Sequence, residues 1–318
     1  LFFTLVQHVT RAGWSVSVRR TAETIAANLQ VIWVLFLPIL VLALMKDGKV
    51  LYSWMSPEKV EADFLYQHKS PYLNAGFWAV RAVLFLGIWA VLGWFYHSTS
   101  VRQDADGDKR HTHLMQKFAP VGIVLFALTL TFASIDWIMA LEAHWFSTMF
   151  GVYFFAMSAC GFFATIPIVL HLLQRAGKIE NDVTKEHFQD LGKLLFGFGI
   201  VFHMYIAFSQ FMLLWYANIP EATGWFLART TGPWTALMWM LPIGHFAIPF
   251  VLLISKHAKR SVPFLCVICV WLLVMHFMDL YLAVMPEVPV KMLEKATSLT
   301  AWQTEVTAAE LGWSPSLV

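Results

Sequence analysis

Three histidines, His203, His245 and His276, fall inside three consecutive apolar stretches, and Asp279 follows His276 by three residues. That spacing puts His276 and Asp279 on one face of a helix. Imidazole accepts and releases a proton near neutral pH after small changes of environment, so a carboxylate beside it makes a pair able to hold a proton or pass it on. Tyr153, Tyr205, Ser209 and Gln210 could extend such a chain by hydrogen bonds. An ionisable side chain within hydrocarbon costs about 2.5–3.5 kcal/mol on insertion scales, which makes each one a functional candidate. The plainer reading is that each histidine only bonds a neighbouring helix, although such a role does not call for a carboxylate. A b-type haem held by two of the histidines is a further reading, and it needs both at matched depth on facing helices.

A second constellation lies between Ser134 and Gly161, where an apolar run ends on Asp136, turns through Glu142 and His144, and becomes apolar again at once. These three groups could line the outer mouth of a proton route. Equally, Glu142 and His144 form a solvated turn with Asp136 capping a helix end. Arg81, near the start of its helix, reads as snorkelling to the interface. Cys266-x-x-Cys269 sits in apolar sequence with Cys160 the remaining cysteine, and reads as small packing residues, since a redox or zinc pair needs solvent access and further ligands. The sequence lacks a phosphate-binding Gly-x-x-x-x-Gly-Lys loop, a dinucleotide fingerprint, a Cys-x-x-Cys-His haem attachment and iron–sulfur cysteine spacing. No cofactor or metal is therefore expected within this chain.

The elements that carry these residues are membrane helices. Of 318 residues, 58% are hydrophobic and 13% charged, against about 25% charged in a soluble domain; the mean hydropathy is +0.62. Apolar runs of the roughly 20 residues needed to span hydrocarbon recur along the chain, and their length argues for helices over the short alternating strands of a membrane barrel. Segments are predicted at 1–10, 22–45, 76–97, 118–140, 147–173, 191–216, 233–255 and 262–285. This gives an all-α integral membrane bundle of at least eight crossings, the first partial, in one domain over 1–285, followed by a tail over 286–318.

Alternate connections hold 14 and 8 of the Lys and Arg residues, and the richer set is expected on the cytoplasmic side. The 136–144 turn and the tail then face the periplasm, where the 46–75 loop reads as a docking loop. The net charge of +2 gives no reason to expect nucleic acid. The chain opens without methionine, in Leu-Phe-Phe-Thr-Leu-Val, and lacks the basic flank of a signal peptide, so a preceding segment of the parent protein is expected.

Two motifs carry a resemblance. Ala12-Gly13-Trp14-Ser15-Val16 to Arg19-Arg20 with Glu23, and Asp136-Trp137-Ile138-Met139-Ala140-Leu141-Glu142-Ala143-His144-Trp145-Phe146-Ser147-Thr148 followed by Phe150-Gly151-Val152-Tyr153, resemble the second of the two polysulfide-reductase-like (NrfD-like) membrane subunits of bacterial alternative complex III. The resemblance spans most of the chain. It implies ten helices with a four-helix core repeat, of which the eight seen here would lack the first and last. It also implies a quinol:cytochrome c, or other periplasmic acceptor, oxidoreductase of the bacterial inner membrane. Haem c and iron–sulfur clusters would then belong to periplasmic multihaem cytochrome and iron–sulfur partners. A sister membrane subunit, lipids and the quinone pool complete the expected surroundings. This subunit would be a scaffold with a candidate proton pathway, and menaquinone or ubiquinone a candidate ligand. Outside that class, a secondary transporter would show helices broken at mid-membrane; Pro242 and Pro249 flank His245, and Pro167 lies in another helix.

Overall fold

The structure is a computed structural model that describes residues 1–45, 51–179 and 182–286. Among these residues all regular structure is helical. Seven helical segments are long and apolar enough to cross a membrane: Val16–Leu44, Ala75–Asp106, Arg110–Leu141, Phe150–Arg175, Lys185–Ala217, Gly232–Leu253 and Val262–Val284. The short α1 (Phe2–Val9) occupies the first expected segment, so every predicted segment contains a helix.

The second segment comprises α2 (Val16–Ala27) and α3 (Trp33–Leu44) joined by a 3₁₀ turn. On α3 apolar residues surround the helix and only Ala43 is buried, which is how a helix facing lipid or another chain looks. Two short helices, α4 (Pro57–Ala62) and α5 (Phe64–Lys69), precede α6 (Ala75–Asp106). Asn74 caps α6 by accepting a 2.9 Å hydrogen bond from the Phe77 amide, and Gly107 ends it in the left-handed region at φ 67°, a conformation glycine adopts without steric cost. α7 (Arg110–Trp137) returns directly. The polar 98–117 connection is therefore mostly a continuation of two helices beyond the expected apolar limits.

α8 (Phe150–Arg175) packs most extensively on α15 (Val262–Val284), and this contact forms the main core. Cys160, Phe163, Ala164, Leu170, Leu265, Cys269 and Leu272 are all within it. α9 (Lys185–Leu194) leads through a π-helix, Leu195–Phe202, into α10 (His203–Ala217). α11 (Pro220–Thr230) and α12 (Thr235–Leu241) follow; a second π-helix, Pro242–Ala247, joins α12 to α13 (Ile248–Leu253), and α14 (Lys256–Arg260) turns the chain into α15.

The second π-helix has a sequence cause. Pro249 lacks the amide that would bond the carbonyl four residues back, that of His245, and its ring crowds that carbonyl. The ladder widens there, and the Trp271 indole donates to the neighbouring Gly244 carbonyl at 2.7 Å. Gly197 and Gly199 lie in the first π-helix, where missing side chains ease the same widening. Both segments keep the chain helical, unlike the discontinuous helices of transporters.

A second core joins the 51–73 segment to the start of α6 and the end of α7. Tyr52, Trp54, Tyr66 and Trp78 are buried with Ala140 and Leu141. The Tyr52 hydroxyl donates to the Trp137 carbonyl at 3.1 Å and the Trp54 indole to the Ala140 carbonyl at 2.9 Å. The 51–73 part of the expected docking loop is thus folded onto its own chain, over the 136–145 turn, because its aromatic side chains find the carbonyls that the end of α7 leaves unpaired. Residues 46–50 of that loop, and 287–318 of the expected tail, lie outside the described residues.

Candidate proton-holding cluster

Asp279, on α15, is 3% exposed. Its Oδ1 accepts a hydrogen bond from the Tyr153 hydroxyl at 2.5 Å, and its Oδ2 lies 2.9 Å from His203 Nε2. With the carboxylate ionised, Nε2 carries the hydrogen. His203 is the first residue after one π-helix and His245 lies within the other. Their rings stack with centroids 4.1 Å apart and planes 12° from parallel. His245 Nε2 is 3.4 Å from Cys160 Sγ. Tyr153 and Cys160 are seven residues apart, two turns of α8, and so share the face that meets both π-helices and α15.

This is an expensive arrangement, since a carboxylate out of water costs several kcal/mol before its partners offset it. The phenol and the imidazole supply that offset as charge-assisted hydrogen bonds. Two imidazolium rings stacked at 4.1 Å in a low-dielectric interior repel strongly, so the stack accommodates one positive charge beside Asp279. The result is a hydrogen-bonded trio, Tyr153, Asp279 and His203, that can relocate one proton over short distances, with His245 stacked on His203 and joined to the trio by no hydrogen bond among the described residues.

Potential ligand atoms of His203, His245 and Asp279 lie within 4.8 Å of one another, near enough for a metal ion. Their geometry does not fit one. Imidazole lone pairs lie in the ring plane, and two near-parallel planes a van der Waals contact apart do not meet at an ion; one ring would have to rotate. The same stack rules out this pair as axial ligands of one haem, because such ligands stand on opposite sides of the macrocycle.

His276 sits at the edge of the cluster. Its imidazole packs against Gly161 so closely that a Cβ at residue 161 would come within 3.1 Å of Nε2, and its buried Nδ1 has no hydrogen-bond partner among the described residues. Of the residues expected to extend the cluster, Tyr153 does so. Gln210 is buried with its Oε1 unpartnered, whereas Tyr205 is 63% exposed on the outer face of α10.

Asp136 belongs to a different group. It is fully buried in the last turn of α7, with Arg81 Nε 2.6 Å from Oδ2 and Nη2 3.1 Å from Oδ1. The expectation that Arg81 snorkels to the interface is corrected: it is 6% exposed. Its guanidinium stacks on Tyr72 and Phe77 at 3.9 and 4.2 Å from the ring centroids and donates to the Tyr72 carbonyl at 3.0 Å. Asp136 does not cap its helix either, as both carboxylate oxygens face Arg81. Among the described residues no hydrogen bond joins Asp136 to the histidine cluster.

Glu142 and His144 form a third group with Asp63, the N-cap of α5. His144 Nδ1 is 2.9 Å from Glu142 Oε1 and its Nε2 is 2.5 Å from Asp63 Oδ2. The Tyr66 ring lies 4.7 Å from the imidazole, and Lys69 bonds the Ala143 carbonyl. Partial burial by itself lowers the His144 pKa, but the hydrogen bonds to Asp63 and Glu142 outweigh it and hold the value above normal. The His144 hydrogen bond lowers the Asp63 pKa in turn. The solvated turn is therefore pinned to the overlying loop.

Sequence reasoning did not foresee Cys160 beside His245, Asp63 beside His144, or Arg81 as the partner of Asp136. The buried charge of Asp136 is the one signal that calls for a nearby cation, and Arg81 stands at the same end of the adjacent helix. Compared with protein-family models and with curated protein sequences, the chain has no match.

Proposed function

We propose that this polytopic membrane protein is a subunit of a respiratory quinol oxidoreductase of the alternative complex III type, holding no redox centre itself. In this reading Tyr153, Asp279 and His203 hold and pass a proton, and the ring of His245 stacked on His203 limits the site to one positive charge. The supporting observation is the Asp279 carboxylate, buried among three helices and bonded to a phenol and an imidazole. Ion-paired scaffolding does not need two titratable partners on one carboxylate. Both histidines also stand at π-helices, irregularities that recur at functional sites. The assignment to this complex rests on the sequence resemblance around 12–23 and 136–153. Within it the chain would sit in a bacterial inner membrane beside a sister polysulfide-reductase-like subunit, with periplasmic iron–sulfur and multihaem partners.

The test of membership is mild-detergent purification of the tagged protein from its native membrane. The expected result is co-purification of haem c and iron–sulfur subunits with quinol oxidase activity towards a periplasmic acceptor; a protein recovered without such partners contradicts it. A second reading, quinone binding by this subunit, draws support from an apolar cleft of about 370 Å³ bordered by Tyr72, Ile135, Met139, Trp145 and Phe146 with Lys69 at its rim. Photolabelling with an azidoquinone separates the two, because labelling confined to the sister subunit removes the second.

A further inference from the structure

Besides the His203 cluster, α1, α2 and α6 carry a second set of buried polar groups. Glu23 and His8 are 1% and 0% exposed, with His8 Nε2 3.4 Å from Glu23 Oε1. Arg19 Nε and Arg20 Nη1 approach the same carboxylate at 3.6 and 3.8 Å. Tyr96, also fully buried, lies with its ring centroid 5.3 Å from that of His8.

Four polar atoms of this neighbourhood are enclosed by the chain and have no hydrogen-bond partner among the described residues: Thr4 Oγ1, Gln7 Oε1, His8 Nδ1 and Arg20 Nη1. Thr4, Gln7 and His8 follow the i, i+3, i+4 spacing that places them on one face of α1. Leaving a buried donor or acceptor unpaired costs about 1–3 kcal/mol, and only Arg20 Nη1 has a charged neighbour, Glu23 at 3.8 Å, so the set is not a stable dry arrangement. Buried groups of this kind are ordinarily satisfied by internal water, each molecule making about three hydrogen bonds. A neighbouring subunit cannot supply the partners, because these atoms are already covered by this chain.

We propose that Thr4, Gln7, His8 and Arg20 surround a cluster of internal waters that hydrates the Glu23 carboxylate and opens toward the Arg20 face. Side-chain exposure rises stepwise along that path, from 0% at His8 and 1% at Glu23 to 35% at Arg20 and 65% at Asp104, to which Arg20 bonds. In the other direction the path is closed. Phe2 and Phe3, at the start of α1, set their rings against Phe155, Phe162 and Phe163 of α8 and Phe198 of the first π-helix, forming an apolar seam. The water site therefore stands or falls apart from the assignment of the His203 cluster.

Hydroxyl-radical labelling by X-ray radiolysis, with the protein in lipid nanodiscs, tests this directly, because radicals formed from internal water mark the side chains beside it. His8 and Tyr96 are expected to be labelled, while Phe188, equally buried in the apolar core, stays unlabelled. In the Thr4→Val, Gln7→Leu variant the labelling of His8 and Tyr96 is expected to fall to the Phe188 level. Protection of His8 and Tyr96 equal to that of Phe188 in the unsubstituted protein overturns the proposal. So does a higher melting temperature for the variant, which is the behaviour of a dry site relieved of unpaired groups.

Discussion

Arg81 grips Asp136 through two hydrogen bonds, Nε to Oδ2 at 2.6 Å and Nη2 to Oδ1 at 3.1 Å, across 55 positions of sequence. The pair ties α6 to the end of α7, and the Trp78 indole reinforces it by donating to the Asp136 carbonyl at 3.0 Å. Removing one partner of such a pair strands the other charge in the interior. Arg81→Ala is expected to destabilise the protein by about 3–5 kcal/mol. Arg81→Leu combined with Asp136→Leu is expected to recover most of that loss, since no charge is then left unpaired. Thermal unfolding in detergent checks both.

The loop over 51–73 is held to the 142–145 turn by a bond that depends on charge. His144 faces Asp63, Glu142 and Tyr66, with Lys69 on the carbonyl of the preceding Ala143, and the two carboxylates raise its pKa. A raised histidine pKa stabilises the closed loop below the ordinary value of about 6.5, and that contribution is lost as pH climbs through the raised value. The lowered Asp63 pKa acts at the acid side, contributing above the ordinary carboxylate value of about 3.9 and fading as pH falls through the lowered one. Protease protection of the loop should therefore peak in mildly acidic buffer and decline toward alkaline pH. In His144→Gln the alkaline decline is expected to vanish.

Gly93 lets α6 pass close to the backbone of α2. A Cβ there would stand 2.5 Å from the Ala26 carbonyl oxygen, a backbone atom that cannot swing aside. Gly93→Ala is expected to cost about 1–3 kcal/mol by overpacking. Gly87→Ala, where the space is open, should be neutral or slightly stabilising because alanine favours the helix. Melting temperatures of the two variants provide the comparison.

What could be read in the sequence and what could not divide along physical lines. Spans were legible because about 20 apolar residues are an absolute requirement of the bilayer, and each of the eight predicted segments contains a helix. The His203 and Asp279 partnership was legible in kind, since costly groups at similar depth seek one another. Its geometry was not: the stacking of His203 on His245 depends on two π-helices, and only Pro249 announces either of them. Arg81 was misjudged because its place near a helix start fits either an interfacial or a buried charge, and only the rotation of α6 against α7 decides. The 51–73 loop was read as a surface for other chains because its many aromatic residues suit an interface equally well within a chain or between chains. His8 went unnoticed beside Glu23 because a single histidine near the end of a short helix has no periodic signal.

Asp279 is the carboxylate at the centre of the proposed proton-holding cluster. Asp279→Asn keeps the size of the side chain and can still accept from Tyr153, but it cannot hold the charge that draws a proton to His203. The most direct measurement is the proton-to-electron ratio of the assembled complex in sealed vesicles, with quinol as donor and electron flow recorded in parallel. A proton-holding Asp279 gives a lower ratio for Asp279→Asn at preserved assembly, with Tyr153→Phe intermediate. An Asp279→Asn complex that assembles, passes electrons and keeps the unsubstituted ratio contradicts it.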